Sequence, residues 1–473
     1  MAFPLFRRKP GILGSSDPRA SYWGRYRYRD GSLGGEVRIP GPEVKVIVGK
    51  NSAGKGRGLI LPNLLKRTGI SQLTVDTRCA AGAVSGPWRR TVDEKQVVAN
   101  PYGCLDNDPD YADLQGVTGI NLLEAPELDP DSVLVFDHLN VMSETCFPAE
   151  NAHQPFFDLS SQSLFVALAW GEMREAKDRS RKPLLANVRR RALERSEFDR
   201  KTGEPVAGLA KHVADLMAYN NPIVNASIGC FAGPIDETIA NTLKNFEAKS
   251  RWMMSPMLAA DEQRGGIDFG EMGRRVTSAY LAVPAEHVAA CAPWLKLAIT
   301  GALRPLFTVH EIPVTFWLDE FYALKRLPLI DQIGVVAGNK IEIIVVVQSL
   351  TMLKQLYGEV WEAFVGNASV IALVGACPDK FTCEYLMALS GKTSMAKPTT
   401  NYSNNPGGTG AGGGWGFETV PTLTEAALYG LAPGTGFVWI GGLADPTPVA
   451  YPGWYTDPVL SQRGRRDPWA SRW

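Results

Sequence analysis

The sequence predicts an α/β fold with a mainly parallel sheet, interrupted by an inserted all-α domain, on three observations. A β-branched run from Val44 to Val48 meets a glycine-rich turn and then an apolar helical pattern through Leu59, Ile60, Leu61, Leu64 and Leu65. Further strand-sized runs follow (Gln72 to Val75, Gln96 to Ala99, Thr277 to Val283, Val314 to Leu318, Ile341 to Val347, Val370 to Val374), and strand, helix, strand at the first spacing is a βαβ unit. From about Asn121 to Asp268 strand signal gives way to helical periodicity, in Leu159 to Lys177, Leu184 to Arg200 and Ile235 to Ala259.

At 473 residues the chain exceeds the size at which one hydrophobic core stops growing, so two domains are expected. Hydrophobic residues at 45% and charged residues at 21% are ordinary for a globular protein. The net charge is zero, so any contact with nucleic acid must come from local patches or a pore lining. Seven cysteines without a CxxC pair and five histidines without ligand spacing argue against a zinc site or a disulfide framework, and suggest buried thiols in a reducing cytoplasm. No run approaches the roughly 18 apolar residues that span a bilayer. No signal-peptide pattern follows the basic N-terminus.

The strongest chemical signal is Gly49-Lys50-Asn51-Ser52-Ala53-Gly54-Lys55-Gly56, the GxxxxGK part of a P-loop between a strand and a helix. Glycines let backbone N–H groups turn inward around phosphate oxygens, and the following helix N-terminus favours the anion. Gly49, Asn51, Ser52, Ala53, Gly54, Lys55, Gly56 and Arg57 are therefore the candidate nucleotide-binding residues, with Lys55 reaching the β- and γ-phosphates. Gly56 stands where the general motif has the Ser or Thr that holds magnesium.

A second signal is the strand Val314 to Leu318 delivering Asp319 and Glu320. Asp319 is the candidate magnesium ligand and Glu320 the group that polarises the attacking water. A third is Gln348, ending the run Ile341 to Val347, placed to bond the γ-phosphate or its water. Asp76 ends the Gln72 to Val75 strand, where nucleotides lie in α/β folds. Taken singly these residues also read as a solvated acidic turn, a strand-end cap and a turn residue. Together with the P-loop they indicate a RecA-like P-loop NTPase.

The run Val48 to Leu65, with glycine after the P-loop lysine and Pro62-Asn63-Leu64-Leu65 behind it, resembles the P-loop of type IV secretion coupling proteins of the TraG/VirD type. Asn100-Pro101-Tyr102-Gly103 is similar to that family's Asn-Pro-Phe turn, Pro155-Phe156-Phe157-Asp158 to a helix start in its all-helical domain, and Tyr280-Leu281-Ala282-Val283-Pro284 to the strand re-entering its motor domain. The most specific stretch runs from Leu318-Asp319-Glu320-Phe321 through Val347-Gln348-Ser349 and Gly366-Asn367-Ala368 to Leu389-Ser390-Gly391-Lys392-Thr393. The resemblance spans roughly Gly34 to Tyr455.

It implies an ATP hydrolase using ATP and Mg2+, a homo-hexamer when active, which hands DNA or a DNA–relaxase substrate to the secretion machinery. Three departures stand beside it. The family's two transmembrane helices before the motor have no counterpart. Asp76-Thr77-Arg78-Cys79-Ala80 stands where the family reads Asp-Pro-Lys-Gly-Glu. Ala337 occupies the place of an arginine that reaches a neighbouring subunit's nucleotide, with Lys340 nearby. Loss of such an arginine leaves open a second reading, a nucleotide-binding adaptor with little hydrolysis that recruits a relaxase or protein effector.

The expected layout is an N-terminal arm (1–40), a RecA-like nucleotide-binding domain (41–120 and 269–455), an all-helical insertion (121–268) and a basic C-terminal tail (456–473). The arm, rich in arginine and aromatics (Arg7, Arg8, Tyr22, Trp23, Arg25, Tyr26), either packs on the main domain or binds nucleic acid or a partner. Pro398 to Phe417, with its glycine run, is expected to be a mobile loop or lid. The expected location is the cytoplasm, with partners holding the protein at the inner membrane.

Overall fold

The computed structural model describes residues 14–114, 118–149, 155–327, 333–405 and 408–470, and the chain falls into two compact units. The first comprises Met1–Thr68 with Glu342–Gly464, the second Gly69–Ile341 with Arg465–Trp473.

In the first unit the strand Val44–Val48 is buried along its whole length. Ile341–Val347 lies parallel on one side of it and Ala368–Val374 parallel on the other. Covered on both faces, such strands read as unbroken Val and Ile runs, which is why they were legible. Beyond Ala368–Val374 the ladder turns antiparallel through Thr435–Ile440, Thr447–Ala450, Ser21–Arg27 and Leu33–Ile39.

Part of the expected arm is therefore sheet. Tyr22 and Trp23 sit in the core at 3% and 0% exposure, and Ser21 Oγ accepts from the Trp23 indole at 2.8 Å. Burying two aromatic side chains contributes several kcal/mol, about 1.5–3 kcal/mol each, and this holds the segment down. Arg7 and Arg8 lie outside the described residues.

A buried charge triad ties the same unit together. Lys45 Nζ meets Glu342 Oε1 and donates to Ser21 Oγ at 2.8 Å, while Arg67 reaches Glu342 Oε2 at 2.6 Å. Burial pulls Lys45 below the ordinary lysine range, and Glu342 pulls it back up.

The glycine-rich segment is not an irregular loop. Lys392–Asn405 and Gly408–Pro421 form a two-stranded antiparallel hairpin, paired from Lys392↔Pro421 to Asn405↔Gly408. Backbone ladder bonds need no side chain, so composition misled here. The tip, residues 406 and 407, lies outside the described residues.

In the second unit four strands are all parallel, in the order Val314–Leu318, Ser71–Asp76, Thr277–Ala282, Lys95–Ala99. The helices Ala80–Val92 and Ala285–Leu306 follow strands of this sheet. The helical stretch is centred on Phe156–Asp178, against which Val135–Cys146, Leu185–Leu193 and Glu237–Lys249 pack. The expected helix from Leu184 to Arg200 ends at Leu193. Glu197–Phe198 and Pro205–Ala207 pair as a short hairpin, so the insertion is not wholly helical.

Glu172, fully buried, nails the central helix to its neighbours. Its carboxylate takes Arg181 (2.5 and 3.0 Å), Arg191 (3.0 Å), Asn187 Nδ2 (2.9 Å) and the Leu184 N–H (3.2 Å). Among the described residues no helix is long and apolar enough to cross a membrane.

The cysteine expectation is corrected: Cys79 and Cys104 form a disulfide, and Cys230 is exposed. Nor is the tail a free basic extension. Pro458–Arg463 is a helix, and Arg465 donates to Ala83 O (2.9 Å) and Asp113 Oδ1 (2.6 Å) while lying 4.5 Å from the centre of the Tyr111 ring. Arg472 lies outside the described residues.

Candidate nucleotide-binding site

The glycine-rich turn leaves the C-terminal end of Val44–Val48 with the Gly49 N–H still in the ladder, donating to Val347 O at 3.1 Å. A Cβ at Gly49 would lie 2.6 Å from Val374 O, so only glycine lets this loop leave between its two neighbouring strands. Ala53 N–H closes a turn on Lys50 O at 3.2 Å, with Ser52 (φ +61) and Gly54 (φ +99) in the left-handed region. Ala53 O in turn accepts from the Gly434 N–H at 3.2 Å. The loop is thus anchored from outside and curled on its inner side. Asn51 and Ser52 are exposed, Lys55 and Arg57 half-buried, and a Cβ at Gly56 would meet nothing within 4 Å.

Lys55 Nζ folds back over the turn, donating to Gly49 O at 2.5 Å and Lys50 O at 3.0 Å. The backbone then winds through one wide turn, Gly56–Ile60, into the helix Leu61–Lys66. Three residues to which sequence reasoning assigned no role hold this helix. Gly58 abuts Tyr451, whose carbonyl oxygen would be 2.6 Å from an added Cβ. Fully buried Asn63 accepts from Tyr22 N–H at 2.7 Å and donates to Tyr22 O (2.8 Å) and Leu59 O (2.9 Å). The Pro-Asn-Leu-Leu segment was the only signal for it.

Gln348 belongs to the same unit. Val347 pairs with Val48 across the parallel ladder, so Gln348 follows its strand beside Gly49 follows its own. It is half-buried, and its neighbour Ser349 caps the next helix, accepting from Met352 N–H at 3.3 Å.

Asp319 and Glu320 belong to the second unit. They end Val314–Leu318, both half-buried, and Asp319 Oδ1 accepts from Glu320 N–H at 3.0 Å. Glu320 stands at φ +49, a conformation uncommon for a side-chain-bearing residue and concentrated at functional sites. Leu318 pairs with Val75, so Asp76 and Asp319 end adjacent strands. Asp76 is a structural anchor as well. Its carboxylate takes the N–H groups of Ala80 and Gly82, both at 3.0 Å, and starts the helix Ala80–Val92. Burial pushes that carboxyl up, against the pull of these donors.

The Asn-Pro-Tyr-Gly turn is held by Asn100, which accepts from Cys104 N–H at 2.8 Å and donates to Cys104 O at 3.0 Å, while Tyr102 stacks on His287 at 4.3 Å. Lys340, the substitute considered for the missing arginine, donates to Glu311 O at 3.3 Å.

The family described as Type IV secretory system Conjugative DNA transfer matches residues 6–411. The chain belongs to this family. Among curated relatives it is 27% identical over 157 residues to Protein VirD4 of Rhizobium rhizogenes and to that of Rhizobium radiobacter. These matches cover 31% of the chain and 23% and 22% of the relatives, so it spans under a quarter of the length of either.

Among solved structures, the conjugative coupling protein TrwB shares the family's fold with this chain at 13% identity. Its unbound form superposes with a TM-score of 0.64 over 88% of this chain and 87% of that one, and its sulphate complex with 0.65 over 96% and 95%. TrwB has also been solved with the non-hydrolysable ATP analogue ADPNP and with ADP and Mg2+. The RecA-like P-loop fold and the coupling-protein resemblance read from the sequence are both borne out.

Proposed function

We propose that this chain is the nucleotide-driven coupling component of a conjugative transfer system: it binds ATP with Mg2+, hydrolyses it, and delivers DNA or a DNA–relaxase substrate to the secretion machinery as a homo-hexamer. In this reading residues 41–120 and 269–455 form the RecA-like motor and 121–268 the inserted helical domain. The observation that carries it is the Gly49–Gly56 turn, a glycine cradle closed by Lys55 Nζ on the carbonyls of Gly49 and Lys50.

The turn has the donors that a nucleotide phosphate needs, and Asp319 has the chemistry of a metal ligand. The N–H groups of the turn would cradle phosphate oxygens, and the Lys55 ammonium would exchange its two carbonyl acceptors for β- and γ-phosphate oxygens. Arg57 would add charge at the same mouth. The Asp319 carboxylate is the hard oxygen donor that Mg2+ prefers. When bound, the ion neutralises charge on the phosphates. Glu320 would take the proton from the attacking water, and Gln348 would hold that water or the γ-phosphate in line.

The test is ATP hydrolysis by the full chain against protein concentration, with and without DNA. Turnover stimulated by DNA, steep in protein concentration and abolished in Lys55→Ala, is the expected result. A protein that binds neither ATP nor DNA refutes the proposal.

One observation favours a second reading, the adaptor with little hydrolysis. Ala337 occupies the place of a trans-acting arginine, and the exposed Lys340 donates to Glu311 O at 3.3 Å. On that reading ATP binds but turnover stays at background at high protein concentration with DNA. Brisk turnover eliminates it.

A further inference from the structure

The hairpin Lys392–Asn405/Gly408–Pro421 carries an exposed aromatic face that the nucleotide chemistry does not use. In an antiparallel ladder alternate residues share a face. The register Ala396↔Phe417 and Pro398↔Trp415 puts Lys392, Ser394, Ala396, Pro398, Trp415, Phe417 and Thr419 on one side. Trp415 is 74% and Phe417 80% exposed, and the small residues opposite them are exposed too. On the other side Thr393, Met395, Gly416 and Val420 are half-buried, while Lys397 and Glu418 are exposed. Among the described residues neither ring meets another aromatic ring. Two large exposed rings side by side on one face form an apolar patch of the kind that marks an interaction surface.

We propose that this face is a stacking platform for single-stranded DNA, one base lodging between Trp415 and Phe417. Spacing and charge both point to that occupant. Side chains two apart on a strand stand about 6.7 Å apart. A base between two rings needs two stacking steps of about 3.4 Å, or about 6.8 Å. Inside a duplex every base face is covered by its stacked neighbours, so a single strand fits and the body of a duplex does not.

The charge on the face is positive. Lys392 is its one charged residue, and among the described residues it has no carboxylate partner. The hairpin's single acid, Glu418, lies on the opposite side and pairs with Lys397 at 3.1 Å. An aromatic pair with a lysine on the same face, and no acid on that face, suits a phosphate-linked base better than a second apolar protein surface.

The platform deepens the proposed function, since its ligand would be the cargo strand, and it is tested without nucleotide turnover. Binding of a fluorescent oligothymidylate to the full chain in the Lys55→Ala background would be measured by anisotropy at fixed salt. Trp415→Ala and Phe417→Ala should each weaken it roughly tenfold or more. Trp415→Phe should restore most of the affinity, and Lys392→Ala should flatten the salt dependence. Closed circular duplex, which has no terminal base face, should be insensitive to the two ring variants. Parent-like melting of the variants would show that the fold is intact.

If the parent binds the oligonucleotide and both alanine variants bind it equally well, the platform is refuted while the transfer reading stands. A change of oligomeric state in these variants at unchanged DNA affinity also overturns it, marking the face as a contact between copies. A parent that binds no DNA overturns both readings.

Discussion

Glu342→Ala would leave two cations in the core of the first unit. Side-chain exposure at Lys45 is 0%, at Arg67 3% and at Glu342 1%, so water cannot replace the carboxylate. Breaking a buried pair typically costs about 3–5 kcal/mol, because the remaining charge is uncompensated. Lys45 has an escape, to lose its proton. Holding an amine neutral at pH 7 against an unfolded value near 10.4 costs about 1.36 kcal/mol per unit, which bounds its share at about 4.6 kcal/mol.

The sign of the pH dependence follows. A lysine whose folded pKa is depressed binds fewer protons folded than unfolded, so stability rises with pH up to the unfolded value. Burial already pulls Lys45 down in the parent, and removing Glu342 removes the opposing pull. The deficit of the variant should therefore be largest near neutrality and shrink towards pH 9, where the bound on the lysine share is about 1.9 kcal/mol. Arg67 cannot escape in this way and leaves a residue of the deficit. Urea unfolding of parent and variant at pH 7, 8 and 9 measures it. A loss below about 1 kcal/mol at pH 7, or one that does not change with pH, would refute the argument.

Two further sites, one behind the glycine-rich turn and one in the helical insertion, give separate outcomes. Gly58→Ala places a methyl 2.6 Å from Tyr451 O and 2.8 Å from Tyr451 Cβ. Tyr451 is fixed by its own N–H on Gly434 O at 2.7 Å, so the helix behind Lys55 must move, at about 1–3 kcal/mol of stability and with weaker binding of a fluorescent ATP analogue. Gly56→Ala, with nothing within 4 Å, should melt like the parent and is the control for stability alone, since Gly56 belongs to the candidate nucleotide-binding turn. In the helical insertion, burial pushes Glu262 up to about 8, and its carboxylate accepts from Leu185 N–H at 3.1 Å. A raised acid binds more protons folded than unfolded, so stability should fall between about pH 4.5 and 8, by up to about 1.4 kcal/mol per unit. Glu262→Gln keeps an acceptor and should erase that slope in thermal melts; an unchanged slope assigns the titration elsewhere.

What the sequence disclosed and what it hid divide along a physical line. The turn from Gly49 to Gly56 is legible because everything it needs is local: a strand before, glycines within, a helix after. Asp319, Glu320 and Gln348 are legible because a buried parallel strand is a bare apolar run, and a polar residue at its C-terminal end stands out. Ser21–Arg27 was read only as part of an arm because one of its two partner strands, Thr447–Ala450, lies more than 400 residues on, and a short strand mixing arginine with tyrosine carries no sign of it. Cys79 and Cys104 show no motif; they follow the strands Ser71–Asp76 and Lys95–Ala99, which flank Thr277–Ala282 in the parallel sheet. Asn63 was visible only as a letter in a resemblance, because its three bonds run to Tyr22 and Leu59. That last case matters most for function. The residues that would touch nucleotide are written locally, while those that hold the loop in place, Asn63, Gly58 with Tyr451 and Ala53 with Gly434, are contacts across the fold. Substitutions at Asn63, Gly58, Tyr451 or Gly434 should therefore damage nucleotide binding without altering a single letter of the P-loop.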